Sequence, residues 1–179
     1  LYGRIVKSIN FDSDPRINTK IIKKNSNLIY KVYSIKNGRL YTDRIQDTAI
    51  LIDNLVINGP SFQYRKNVNS SVKLNIVFEK GTPRKLREIS GKVLSLLTGG
   101  AGNDNYWHWL YDVLPRLALC NEVIRLNDID YFLVPSLKIK FQQETLTGLG
   151  ISPKKFLPSE KYRHVKADEL LVTDHPYAL

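Results

Sequence analysis

The chain has 179 residues, 42% hydrophobic and 25% charged, the balance of a folded domain rather than a disordered segment. Its 27 Lys and Arg against 17 Asp and Glu leave a net charge of +10, which favours anionic partners such as nucleic acid, an acidic membrane surface or phosphorylated small molecules. The basic residues are scattered (Lys20, Lys23, Lys24; Arg84, Lys85, Arg87; Lys154, Lys155), with no arginine stripe and no aromatic ladder, so nucleic acid is not an expected partner. No stretch approaches the roughly 18 uninterrupted apolar residues of a membrane-spanning helix.

The chain opens on Leu1 and contains no methionine, and it stops soon after an apolar segment, Leu170–Val172. We therefore expect a piece of a longer protein. The single cysteine, Cys120, lies among Leu117, Leu119 and Val123 in an expected helix, which reads as a buried structural thiol.

The first half predicts short strands. Residues 28–34 alternate and are rich in Tyr, Ile and Val; Asn37-Gly38 follows as a hairpin signal, with 40–43 as the return strand. Residues 49–52 and 55–57 form a second expected pair joined through Asp53-Asn54, and 72–78 alternates as a half-buried strand. Nothing in residues 1–87 carries a chemical motif, and this part reads as a β-rich N-terminal region.

From residue 88 onward the texture changes. Val93–Leu97 is a short apolar run suited to a buried parallel strand. Tyr106 to about Arg125 has helical spacing, Tyr131–Val134 is a second buried strand ended by Pro135, Ile139–Leu149 a second helix closed by Gly150, and Leu170–Val172 a third strand. Strand, helix, strand, helix, strand predicts an α/β fold with a Rossmann-like parallel sheet over residues 88–179.

In such sheets ligands bind beyond the carboxyl ends of the strands. The loop there is Gly99-Gly100-Ala101-Gly102-Asn103-Asp104-Asn105, whose glycines permit close approach of a ligand and whose Asn and Asp suit helix capping. Gly100 and Gly102 are candidate contacts on that ground. A third glycine at dinucleotide spacing is missing and no Gly-Lys-Ser or Gly-Lys-Thr follows, which disfavours a nicotinamide-dependent oxidoreductase and a phosphate-binding loop alike. The helix then runs Tyr106-Trp107-His108-Trp109-Leu110-Tyr111-Asp112 and on through Leu114-Pro115-Arg116-Leu117. His108 and Asp112, four apart, share a helical face, and a His held by a carboxylate can serve as a general base toward a sugar hydroxyl. Tyr106, Trp107, Trp109 and Tyr111 crowd the same segment and suit stacking on a sugar ring or a base. The plain alternative is that the aromatics are core, His108 bonds to backbone and Asp112 is a surface residue.

This run resembles glycosyltransferase family 61, whose motif is an Asn, two aromatics, His-Trp, then Asp and Leu-Pro-Arg-Leu; here Asn105, Tyr106, Trp107, His108, Trp109, Asp112 and Leu114 to Leu117 match it. Phe141-Gln142-Gln143-Glu144 with Leu149-Gly150-Ile151, and Ala167 to Val172, resemble the segments that follow it in the family. The resemblance covers residues 88–179 and has no specific landmark before them. It implies an inverting enzyme of the two-Rossmann (GT-B) architecture that takes sugar from a nucleotide-sugar donor, with no metal or further cofactor. It further implies that this part holds the glycan acceptor, with His108 and Asp112 catalytic and Asn105, Tyr106, Trp107, Trp109 and Arg116 binding substrate. The family's later Arg and Glu motifs would lie past Leu179, so this piece alone is not expected to complete catalysis.

Asp12-Ser13-Asp14 and Asp128-Ile129-Asp130 spell a metal-nucleotide triplet, but neither follows a strand, and both read as loop residues. His164 and His175 have no partners at ligand spacing, so no metal is expected. The competing function is a non-catalytic module of the same fold that binds a glycan or an anionic surface.

Overall fold

A computed structural model describes residues 7–25, 27–44, 47–61, 64–65, 68–69, 72, 75, 77–79, 83–97 and 104–176. Ten strands form one mixed sheet: β1 (Ser8–Asn10), β2 (Ile17–Lys23), β3 (Ile29–Lys36), β4 (Arg39–Thr42), β5 (Thr48–Ile52), β6 (Leu55–Asn58), β9 (Arg87–Ser95), β10 (Tyr131–Val134), β11 (Phe156–Pro158) and β12 (His164–Thr173). Between β6 and β9, β7 (Tyr64–Arg65) and β8 (Val68–Asn69) pair as a separate ribbon. The sheet order is β1-β6-β5-β4-β12-β9-β10-β11, with β3 also against β12 and β2 outside β3. Between β9 and β10 come α1 (Tyr106–His108), a π-helical turn (Trp109–Val113) and α2 (Leu114–Asn121); α3 (Lys140–Gly148) joins β10 to β11.

The expected α/β class, a Rossmann-like parallel sheet preceded by a small β-rich region, is overturned by this topology. Strands from both halves of the chain build the one sheet, it is mixed, and among the described residues only α2 and α3 are helices longer than a single turn. The segments containing Val93, Tyr131 and Leu170 are parallel neighbours through β9–β10 and β12–β9. However, β12 is ten residues long rather than three, and its other edge bonds antiparallel to β3 and β4. These pairings join residues more than a hundred positions apart, which no local periodicity reports.

The Asn37-Gly38 step shows how this happens. It does not reverse the chain. Lys36 opposes Glu169 and Arg39 opposes Lys166, so β3 and β4 run in one direction along β12, and the step is bridged by Asn37 N–H to the Asp168 carbonyl (2.9 Å) and Ala167 N–H to the Gly38 carbonyl (3.0 Å). Asn37 takes a left-handed φ of 54°, and a Cβ on Gly38 would sit 2.7 Å from the Leu170 Cβ. The residue pair is there for close approach to β12 rather than for a hairpin turn. The chain reverses instead between β2 and β3, between β4 and β5, and between β5 and β6, the last through Asp53 at φ 51°. The strand expected at 72–78 falls partly outside the described residues, and Val77 and Phe78 lie buried in a turn. β1 and β2, at the polar front, were not anticipated.

On the other edge of β12 the register against β9 shifts between Ala167 and Glu169. Gly91 absorbs the extra residue of β9 at φ 110°, its N–H donating to the Asp168 carboxylate (2.8 Å). Asp130 accepts from the neighbouring Lys92 N–H (2.7 Å) and Asp128 pairs with Arg125 (3.0 Å), so that acidic triplet fastens loops.

Alternation along the strands divides the core. Leu94, Phe132 and Leu171 join Trp109, Val113, Leu117, Cys120 and Leu146 of the helical segments. Val93, Leu133, Leu170, Ile35, Leu40 and Ile50 point to the other side. Cys120 is fully buried, and burial pushes its thiol up to about 12, which keeps it protonated and unreactive at neutral pH.

Candidate functional site

The site forms where β9 and β12, parallel neighbours, reach their carboxyl ends. Asn105 takes extended backbone (φ −81°, ψ 126°) and its side chain accepts from Trp107 N–H at 2.8 Å, the capping role expected of it. Gly100 and Gly102 lie outside the described residues.

Beyond His108 the helix widens into the π turn, closed by Leu114 N–H to the Trp109 carbonyl. Its cause is Pro115 in the following turn, which has no N–H to give and whose ring crowds the carbonyl four residues back. A π turn relieves that clash, and such turns gather at functional sites.

From the residue that precedes this turn, His108 Nδ1 hydrogen-bonds Asp112 Oδ2 inside it, giving the expected pair. The two differ in exposure: the His108 side chain is 39% exposed and Asp112 only 4%. Asp112 is thus a buried partner, not the surface residue of the plain alternative. With Nδ1–H committed to the carboxylate, Nε2 is left as the proton-accepting nitrogen.

The aromatics separate into two groups. Tyr106, Trp107 and Tyr111 are exposed (54%, 58% and 47%), with the Trp107 and Tyr111 rings 4.3 Å apart between centroids and Tyr106 edge-on to Phe141 at 4.9 Å. Trp109 is 1% exposed and packs in the core near Phe141, so it has no face to offer a ligand. Tyr111 lies beside Trp107, as the four-residue spacing dictates.

Arg116 is also placed differently from expectation. It is fully buried, below the surface that a substrate would touch. Its Nε donates to the Asp112 carbonyl (2.7 Å), and Nη1 reaches the Thr173 hydroxyl (3.3 Å) and the Asp174 carbonyl (3.3 Å). Burial lowers its pKa to about 10, so it stays charged at neutral pH. It ties the helix to the end of β12. Asp174 beside it accepts from Tyr33 O–H (2.7 Å) and Lys31 N–H (2.8 Å), and burial raises its pKa.

One residue that spacing did not reveal is His175. Its side chain is 7% exposed, and its Nε2 lies 3.9 Å from Asp112 Oδ1. That is too long for a hydrogen bond, but it sets a second imidazole against the carboxylate that holds the first. Only the meeting of β12 with the helix brings them together. His164 is elsewhere, at the start of β12. Among the described residues no group of three or more His, Cys, Asp or Glu side chains is arranged to hold a metal ion.

The chain matches no family model, no curated protein and no solved structure.

Proposed function

We propose that the chain is the acceptor-side part of an inverting glycosyltransferase of the family 61 type, with His108 as the base that activates the acceptor. The observation that carries this reading is the half-exposed His108 ring, oriented by a buried carboxylate and flanked by exposed aromatic side chains. A sugar ring has apolar C–H faces that stack on aromatics and hydroxyls that need a polar partner beside them. Trp107, Tyr106 and Tyr111 would supply the first requirement and His108 the second.

The reaction balances as follows. The acceptor hydroxyl oxygen attacks the anomeric carbon of a nucleotide-sugar donor, and its proton passes to His108 Nε2. The bond from the anomeric carbon to the diphosphate breaks, and the nucleoside diphosphate leaves with the electron pair. Asp112 stabilises the imidazolium so formed. Arg116, out of reach of a substrate, keeps Asp112 and the helix in register with β12. The donor is a co-substrate, and the chemistry requires no metal in this reading.

The same aromatics would serve a non-catalytic glycan-binding module, and a transfer assay separates the two. The protein in its full reading frame is incubated with a panel of nucleoside-diphosphate sugars and oligosaccharide acceptors, and products are read by mass spectrometry. The expected result is an acceptor heavier by one sugar residue. Acceptor binding without transfer from any donor would replace the enzyme with the binding module.

A further inference from the structure

A second site lies at the other end of β12. His164 opens that strand and Thr173 closes it, which places them on the order of 30 Å apart along a strand. Around His164 is a pocket of about 190 Å³ lined by Arg39, Tyr41, Asn54, Phe78, Pro83, Arg84 and His164. By liquid volume it has room for about six waters, enough for a phosphoryl group with a short organic tail.

The hydrogen bonds fix the state of His164. Arg39 Nη2 lies 2.8 Å from His164 Nε2, and a guanidinium can only donate, so Nε2 accepts. His164 Nδ1 lies 3.1 Å from the Arg84 carbonyl, which can only accept, so the proton is on Nδ1. The ring is neutral, in keeping with burial that lowers its pKa.

Arg39 therefore faces the pocket with neutral partners: the Asp53 carbonyl (2.6 Å), the Asn54 side-chain oxygen (3.3 Å) and this imidazole. Its Nε is buried with no hydrogen-bond partner. The Asp53 carboxylate is held by Arg16 (2.9 Å). Arg84 stands over the Tyr41 ring (5.9 Å to the centroid), its Nε on the Thr42 carbonyl (3.3 Å). Burial, with the positive charges of Arg84 and Arg44 added to it, depresses the pKa of Arg163. Asp43 and Glu160 act on Arg163 in the opposite sense, and Glu160 is engaged by Arg44 (3.2 Å) and by the Ser136 hydroxyl. No acidic side chain lines the pocket among the described residues.

We propose that this pocket binds a phosphate group, held between the guanidinium groups of Arg39 and Arg84 with its organic portion against Tyr41 and Phe78. Two guanidinium groups facing one cavity without a carboxylate are the arrangement that a doubly charged oxyanion satisfies, and arginine's fork suits phosphate. The neutral His164 holds Arg39 in place without adding a countercharge, and the one carboxylate that acts on Arg39, Asp53, makes its ion pair with Arg16 instead. The inference is independent of the sugar-transfer reading, since neither His108 nor Asp112 takes part.

The shared chemistry could be a soluble sugar phosphate or a phospholipid headgroup, and two arms separate them. Calorimetry of the chain with glucose 6-phosphate tests the first, and flotation with phosphatidic-acid vesicles tests the second. Saturable binding in either arm is expected, weakened at least about tenfold in R84Q and in R39Q. Each variant is checked for wild-type circular dichroism. A measurement on the unaltered chain adds to these: inorganic phosphate should displace the ligand far better than chloride at equal ionic strength. Binding in neither arm, binding indifferent to both substitutions in folded protein, or equal displacement by chloride would overturn the proposal.

Discussion

Replacing His108 with Gln in the full reading frame is expected to reduce turnover in sugar transfer by roughly a hundred- to ten-thousand-fold, the usual worth of a positioned general base. Glutamine keeps much of the size and polarity of the side chain but cannot take the acceptor's proton. The Michaelis constant for the acceptor should change little, because Trp107 and its neighbours remain. D112N should lower turnover in the same assay, since an amide can no longer stabilise the imidazolium. Steady-state kinetics on folded variants decide the matter. A variant with unchanged turnover would make His108 structural, and a change confined to the acceptor's Michaelis constant would make it a binding residue.

The second large effect is expected in stability. Arg116 is fully buried, and it gives its N–H groups to the Asp112 carbonyl and to Thr173 and Asp174 at the end of β12. R116M fills similar space but leaves those oxygens without their donor and two acidic groups without their cation. Breaking one side of a buried charge network costs about 3–5 kcal/mol. In a chain of this length that lowers Tm by roughly 10 °C. Chemical and thermal unfolding of R116M against the unaltered chain measure it. A loss below about 1 kcal/mol, within the range of an ordinary surface change, would mean that Arg116 does not clamp the helix to the sheet.

The local chemistry of the site was legible in the sequence because it is built on helical spacing. Asn105 caps, His108 meets Asp112 four residues on, and Trp107 meets Tyr111 by the same rule. The motif could not reveal which members face inward. Trp109 and Arg116 turn into the core because the π turn at Pro115 alters the helical phase and because β12 offers Arg116 its carbonyls. The fold class was misread for a related reason. Strand segments were found where apolar runs exist, but partners along β12 are set by contacts distant in the chain. Asn37-Gly38, a turn signal by composition, instead marks close approach to Leu170. His175 and the arginine pocket around His164 were hidden in the same way, since both arise only when the ends of β12 meet other segments.

The central claim, that the surface beside His108 receives a sugar, is tested most directly by the chain's own fluorescence. It has two tryptophans: Trp107 is 58% exposed beside His108, and Trp109 is 1% exposed in the core. In a titration with candidate acceptor oligosaccharides, stacking on Trp107 should shift and change the emission saturably, and W107F should abolish the change while leaving the fold intact. Emission that stays flat across the oligosaccharide panel, or a saturable change that survives in W107F, would contradict the account.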